Sequence, residues 1–406
     1  MQEKTQGGRA MTIKAVIGKN FGDEGKGLAV AWFAQQAREN GRNCLVIRHN
    51  GGAQAGHTVE KKGNARFVFH QLSAGSGDGS DTLWSETFLP DLFKLGDEYS
   101  QLEAVYGRRA VILADPRCRC TCIDDILLNM AIEQKRGAMR HGSCGMGINE
   151  CMQRSETAPL YLGRVREMTA AELFRELREI RKNYLPVRMK ALGLTFDNAG
   201  EAGELLRDDN VLINAAERMC RNAELTELFE PGMLTAYEDI IFEGAQGLLL
   251  DAEYTEFAPH LTNSRTGSVN PVQFCKRYFP GQRAELVYIT RTYVTRHGNG
   301  PLPYSGSFDP KKYGITDKTN IPNDWQGTLR FAPHGTTEEF LRPLLMDAEN
   351  AEDIPHTVSL MLTHIDETEG MLCRYRENIP VGEFTDELEE RGIFGRIYLS
   401  ASRFGC

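Results

Sequence analysis

Six consecutive residues, Gly22-Asp23-Glu24-Gly25-Lys26-Gly27, combine glycines, two carboxylates and a lysine. Glycines let a backbone turn tightly enough for its N–H groups to converge on an anion, and a neighbouring lysine brings a mobile positive charge to phosphate oxygens. The string is a phosphate cradle, but it is not the G-x-x-x-x-G-K-[ST] loop. Six residues separate Gly18 from Gly25, and Gly27 stands where a Ser or Thr would hold magnesium. Within the loop, the hard oxygen ligand for a metal is Asp23. A second glycine-rich string, Gly51 to Thr58, carries His57, the side chain best suited to trading a proton near neutral pH. A third, Phe242 to Asp251 with Pro259 and Thr262 beyond it, carries Gln246, whose amide offers a donor and an acceptor side by side for a heterocyclic amide. A fourth, Thr295 to Pro303, adds Arg296 in another glycine turn.

Each string follows an element able to aim it. Ile13 to Gly18 is an apolar run ending in glycine, and Val30, Phe33, Ala34 and Ala37 then recur at helical spacing within Leu28 to Asn40. Cys44 to Arg48 gives a second strand and closes a βαβ unit with a parallel sheet. The runs 240–242, 286–289 and 358–362 end in the same way at polar or glycine-rich loops, so ligands are expected at the carboxyl edge of one sheet. Between these runs, Thr169 precedes an amphipathic helix bearing Leu173, Leu177, Ile180 and Tyr184, and Asp209 to Leu228 reads as another helix. The fold class is therefore α/β, one domain over residues 12–406 with helical insertions, after a disordered extension over residues 1–11.

The chain has 406 residues, 41% hydrophobic and 25% charged, which suits a large globular core. Its net charge of −9 argues against binding nucleic acid through the phosphates, while one local Lys/Arg pocket still suffices for a small anion. No apolar run approaches the ~20 residues of a membrane span. The amino terminus lacks the apolar segment of a signal peptide, so a cytoplasmic address is expected. The ten cysteines, including Cys118-x-Cys120-x-Cys122, lack the spacing of a zinc knuckle and read as buried thiols. His49, His70, His141, His260, His297, His334 and His356 read as structural or solvent-facing.

Taken together the strings resemble the adenylosuccinate synthetase family, GTP-dependent ligases that join aspartate to IMP. The family's Trp-Gly-Asp-Glu-Gly-Lys-Gly appears as Phe21 to Gly27, its Asn-Ala-Gly-His-Thr as Gln54 to Thr58, and its Phe-Glu-Gly-Ala-Gln-Gly unaltered at Phe242 to Gly247. Its Thr-Arg-Val-Gly-Ala-Gly-Pro-Phe-Pro is recognisable at Thr295 to Pro303. The resemblance implies a large, mostly parallel sheet flanked by helices, a homodimer, and one magnesium ion per site held by Asp23 and the Gly56 carbonyl. It makes Asp23 the general base and His57 the acid. Gly22, Glu24, Gly25, Lys26, Gly27 and Thr58 then bind donor phosphates, and Gln54, Ser143, Cys144, Gln246 and Thr262 hold the acceptor nucleotide. Thr328 and Arg330 take aspartate, and His364, Asp366 and Ser400 surround the donor base, GTP by resemblance with ATP as the alternative. Arg154 is a candidate for the arginine that the family sends across its dimer.

Departures from the pattern concern the substrates. The family's Gly-Thr-Thr-Gly reads Gly142-Ser143-Cys144-Gly145, exchanging a hydroxyl for a weaker thiol donor. The family's arginine-rich aspartate loop matches Gly327-Thr328-Leu329-Arg330-Phe331, preceded by Asn323, Trp325 and Gln326, and only Arg330 remains a guanidinium. The lost first arginine is the one that also reaches the ribose in the family. The family's Thr-Lys-Leu-Asp reads Thr363-His364-Ile365-Asp366, and its terminal Ser-Thr-Gly-Pro is echoed by Ser400-Ala401-Ser402-Arg403. The leading expectation is IMP, GTP and aspartate giving adenylosuccinate, with dGMP or GMP as the alternative acceptor. A phage branch of the family uses dGMP, but its best-known members carry serine where this chain keeps Asp23. From a different class, a nucleotide-sensing GTPase without ligase activity stands behind both.

Overall fold

A computed structural model describes residues 10–61, 66–137, 145–315 and 328–403. Nine strands form one parallel sheet: β1 (Thr12–Gly18), β2 (Cys44–Arg48), β3 (Asp81–Trp84), β4 (Ile112–Ala114), β5 (Glu227–Leu228), β6 (Asp239–Glu243), β7 (Ala284–Arg291), β8 (His356–Thr363) and β9 (Arg396–Leu399). Their spatial order is β9-β8-β7-β1-β6-β2-β3-β4-β5, and every pairing is parallel. A parallel sheet buries both faces, and its strands read as continuous apolar runs. β1 shows this directly. Ile13, Ala15 and Ile17 enter one buried apolar cluster with Leu45, Phe242 and Leu286, while Val16 enters a second with Val30, Val46 and Trp84 on the other face.

The strands expected from apolar runs are all present, with one difference in their arrangement. β1 and β2 are not neighbours, because β6 lies between them and pairs with both. Hydrophobic pattern fixes that a strand is buried on two sides, but not which strand it pairs with. The helix α1 (Lys26–Glu39) follows the first loop as expected. The helix expected over 209–228 ends at Ala223, and Glu227–Leu228 becomes the edge strand β5.

Between β4 and β5 the chain inserts helices, among them Ile123–Arg136, Ile148–Ser155, Ala170–Asn183 and Asp209–Ala223. Thr169 caps Ala170–Asn183 with a capping box to Glu172, and Leu173, Leu177 and Ile180 are its buried face. Leu127, Leu128, Leu185 and Met189 give part of this insertion an apolar core of its own. Cys118, Cys120 and Cys122 are buried thiols. No helix among the described residues is long and apolar enough to cross a membrane.

Leu286 in β7 is fully buried among residues of one sheet face. Leu286→Ala is expected to cost ~2–5 kcal/mol in denaturant unfolding, the range for a truncated core leucine. A loss below ~1 kcal/mol would contradict this packing.

Candidate active site

The first loop is held in shape by its own carboxylate. Glu24 Oε1 accepts from the backbone N–H of Asn20 at 3.0 Å and of Gly22 at 2.8 Å, while Oε2 meets Lys26 Nζ at 2.6 Å. Glu24 is only 1% exposed, so its charge is spent shaping the turn, although it remains at the cavity wall. Gly25 takes φ +96°, a left-handed conformation that suits glycine, at the cap of α1. A Cβ at Gly27 would lie 2.8 Å from the Cβ of His57, so this glycine is what lets the second loop pack onto the helix start. Lys26 begins α1, whose free N–H groups and dipole favour an anion there.

Asp23 also sits in the left-handed region, at φ +62°. Three of the five described non-glycine residues with positive φ are Asp23, Gln246 and His364, all expected in the site from sequence. Such strain persists only where the surroundings impose it, and it gathers at functional positions. Arg291 Nε donates to the Asp23 carbonyl at 2.5 Å, and His297 Nε2 lies 3.1 Å from Oδ2. Burial pushes the Asp23 carboxyl up, but the hydrogen bond and charge of His297, with Arg291 and Lys26, outweigh it and lower it to about 2. Asp23 is thus an ionised carboxylate facing the cavity.

His57 opens a short strand, His57–Val59, and its Nδ1 lies 2.5 Å from Glu243 Oε1. Glu243 ends β6 opposite Arg48 of β2, is fully buried, and also accepts from the Ala74 N–H at 3.2 Å. Burial pushes the Glu243 carboxyl up, and Arg48, His57 and that N–H bring it below its ordinary value. An ionised partner at Nδ1 requires the proton there, which leaves Nε2 for a ligand. Burial holds the His57 imidazole below its usual range, only partly offset by Glu243.

Gln246 lies in the turn after β6, its backbone packed against the first loop at Gly18 and Gly22. Asn50 fixes that turn by accepting from the Ala245 N–H at 2.8 Å and donating to the Ala245 carbonyl at 3.1 Å. The Oε1 atoms of Gln246 and Gln54 are buried without a hydrogen-bond partner among the described residues, an arrangement that costs ~1–3 kcal/mol per group unless a ligand completes it.

These groups share one cavity of about 1690 Å³ between the carboxyl edge of the sheet and the helical insertion. A single drug-sized ligand needs ~300–1,000 Å³, so the cavity can hold more than one. Its wall includes Gly22 to Gly27, Gln54, Gly56, His57, Thr58, Gln246, Thr262, His364 and Asp366. From the insertion it includes Asn129, Asn149 and Arg188, the last paired with Glu150 at 2.7 Å. Asp23 and the exposed Gly56 both belong to the cavity wall, one with a carboxylate and the other with a backbone carbonyl. Among the described residues no group of three or more His, Cys, Asp or Glu could hold a metal. One carboxylate with one carbonyl suits a magnesium ion that takes its other ligands from phosphates and water.

Elsewhere the structure redistributes what the sequence suggests. Arg330 lies in the strand Arg330–Ala332, paired with Val294–Arg296 so that it faces Arg296. Neither Arg330 nor Thr328 is part of the cavity wall, whereas Arg296 and Phe331 are. Arg330 Nη2 donates to the Gly300 carbonyl at 2.5 Å. Arg296 donates to the Pro301 and His260 carbonyls and stacks 4.2 Å over Phe21. Burial and the like charge of Arg330 lower Arg296 to about 10. Ser400 is fully buried with its hydroxyl on the Ser402 carbonyl, and Ser402 and Arg403 reach the cavity instead. Thr363 Oγ1 donates to the Glu24 carbonyl at 2.7 Å, tying the expected donor-base loop to the phosphate loop. Burial drives the neighbouring His364 imidazole well below its usual range.

His297, read from sequence as structural or solvent-facing, touches Asp23 at the cavity wall. Arg154 is 1% exposed, with its guanidinium on Asp125 and on the Cys120 and Ala158 carbonyls of its own chain, so it cannot serve a neighbouring copy. Gly142, Ser143, Cys144, Asn323, Trp325, Gln326 and Gly327 lie outside the described residues. Glu243, Asn50 and Arg291 were missed, although each is a charged or amide residue at the end of a buried strand, where a polar group needs a partner.

The family model for adenylosuccinate synthetase matches residues 15–317. The adenylosuccinate synthetase of Clostridium botulinum (strain Eklund 17B / Type B) is 28% identical over 298 residues, which are 72% of this chain and 65% of that protein, so the match spans just under two thirds of its length. The fold is similar to a fully ligated adenylosuccinate synthetase from Plasmodium falciparum, with TM-score 0.63 and 17% identity over 88% of this chain and 77% of that one. It is also similar to the succinoaminodeoxyadenylate synthetase of cyanophage S-2L bound to dGMP and dATP as an energy donor, with TM-score 0.62 and 14% identity over 97% and 94% of the two chains. With more than half of its length matched by the family model, and with the family's loops meeting at one cavity, the chain belongs to the adenylosuccinate synthetase family.

Proposed function

We propose that this protein is a carbon–nitrogen ligase that joins L-aspartate to C6 of a 6-oxopurine nucleoside monophosphate, with IMP as acceptor and GTP as donor. The observation that carries this reading is the Asp23 carboxylate, held in a left-handed turn of the phosphate loop and facing the same cavity as the buried amide of Gln246. A purine carbonyl resists amine attack because oxide is a prohibitive leaving group, so the oxygen must first become a phosphate ester. Gln246 is suited to hold the purine amide edge, and Asp23 to take the N1 proton, which makes O6 nucleophilic. O6 then bonds to the terminal phosphorus of the donor and the nucleoside diphosphate leaves. Lys26 and the N–H groups of the loop neutralise the phosphates. His57 presents Nε2 to the transferring group, and the negative charge arriving there favours the imidazolium that burial otherwise disfavours. The aspartate amine finally attacks C6 and expels phosphate, with Arg296 of the cavity wall as the guanidinium for a carboxylate of aspartate. Asp23 and the Gly56 carbonyl are the residues that would hold magnesium, which when bound adds charge neutralisation at the phosphates.

An exposed Thr328 where the family carries a ribose-reading arginine supports dGMP as a second acceptor. The dGMP and dATP described for the cyanophage protein set the same alternative, with ATP beside GTP as donor. A homodimer belongs to this reading, without Arg154 as the residue that crosses it.

Ultraviolet assays of IMP, GMP, dIMP and dGMP, each with GTP or ATP, magnesium and aspartate, test the assignment. IMP with GTP is expected to be fastest, and dGMP outpacing IMP with the same donor would overturn the order of acceptors. Phosphate release that ignores aspartate would overturn the ligase. Asp23→Asn is expected to lower kcat by ~10²-fold or more with an unchanged melting temperature, as for a lost general base. Glu243→Gln keeps an acceptor for the Ala74 N–H but removes the charge opposite His57. It should lower kcat by ~10–100-fold with little change in the donor KM, and a kcat equal to wild type would remove Glu243 from the proposal.

A further inference from the structure

His297 follows the strand Val294–Arg296, and the family pattern has an apolar valine at its position. Its imidazole and the Asp23 carboxylate line the same cavity, with side chains 22% and 28% exposed, so the pair is accessible from it. Three features together fix Asp23. Its backbone is locked at φ +62°, its carbonyl accepts from Arg291 Nε at 2.5 Å, and its Oδ2 meets His297 Nε2 at 3.1 Å. Arg291 is itself braced, with Nη1 on the Tyr293 hydroxyl at 2.8 Å and that hydroxyl donating to Glu367. The main chain of Asp23 is thereby anchored, but a backbone anchor leaves the carboxylate free to rotate about its two side-chain bonds. Among the described residues, the contact that restrains this rotation is the one from His297 Nε2 to Oδ2. An ionised carboxylate can only accept, so Nε2 donates.

We infer that His297 is a positioning residue for the general base. By occupying Oδ2 it holds the carboxylate plane so that Oδ1 faces the N1–H of the bound purine. The inference rests on the ligase reading and adds a residue to it. A base turned away from its proton loses much of its effectiveness even when the substrate binds normally, because proton transfer needs contact at ~2.6–3.2 Å. Removing the clamp should therefore lower turnover and leave nucleotide affinity alone.

His297→Leu keeps bulk without a donor, and His297→Gln keeps an N–H near the position of Nε2. The test measures kcat and KM for acceptor and donor in both variants, in Asp23→Asn, and in the double variant His297→Leu/Asp23→Asn, with melting temperatures as a control on folding. His297→Leu is expected to lose ~10-fold in kcat with both KM values within ~2-fold, in the range for loss of a partner that orients a functional group. His297→Gln should recover most of that loss. In the Asp23→Asn background His297→Leu should cost nothing further, since a residue that acts only through Asp23 has nothing left to position. Undiminished turnover in His297→Leu, or an equal loss with and without Asp23, would overturn the inference while leaving the ligase reading intact. No aspartate-dependent product from the wild type with any acceptor would instead overturn that reading. If His297→Leu does not fold, the comparison of His297→Gln with wild type decides in its place, and a ~10-fold loss in that folded variant would overturn the clamp.

Discussion

A charged carboxylate must stand ionised and aimed at the edge of a cavity, and most of the site geometry follows from that constraint. Burial alone would push the Asp23 carboxyl up. The site counters this with His297 on the side chain, Arg291 on the main chain and Lys26 nearby, and with a backbone conformation that the fold imposes. Glu24 makes the conformation available. Its carboxylate ties Asn20, Gly22 and Lys26 into one turn, and Thr363 at the end of β8 holds the carbonyl of Glu24 in place. A second buried carboxylate, Glu243, does for His57 what His297 does for Asp23, fixing which face of a titratable group meets the ligand.

The sheet makes these pairings possible. Because β6 inserts between β1 and β2, the loops after three adjacent strands carry Asp23, Gln246 and His57 to one place, while β7 and β8 bring Arg291, His297, His364 and Asp366 from the other side. The two-sided core keeps these strand ends in register, since a strand buried on both faces has little freedom to slip. The helical insertion then closes the cavity from above the edge, with Asn149 bonded to Asn263 across the gap.

The strands and the cradle were legible because they depend on local signals, namely apolar runs ending in glycine and a lysine next to a helix start. The insertion of β6 between β1 and β2 was not, because pairing partners are set by tertiary packing. The end of the helix at Ala223 was blurred because Leu225 continues the apolar spacing beyond it. Most of the candidate site was readable as residue types. What sequence could not supply is which polar groups spend themselves inside the protein. Glu24 and Ser400 look like ligand contacts until their hydrogen bonds are traced to backbone neighbours. His297 looks like a bystander until a carboxylate from a segment far away in the chain reaches it.

The central chemical claim is that the purine O6 leaves as a phosphate oxygen. IMP carrying oxygen-18 at C6, incubated with GTP, magnesium and aspartate, tests it by mass analysis of the inorganic phosphate released. One labelled oxygen in each phosphate is the expected result. Phosphate that is unlabelled, with its new oxygen drawn from water, would contradict the phosphate-ester route and with it the role given to Asp23.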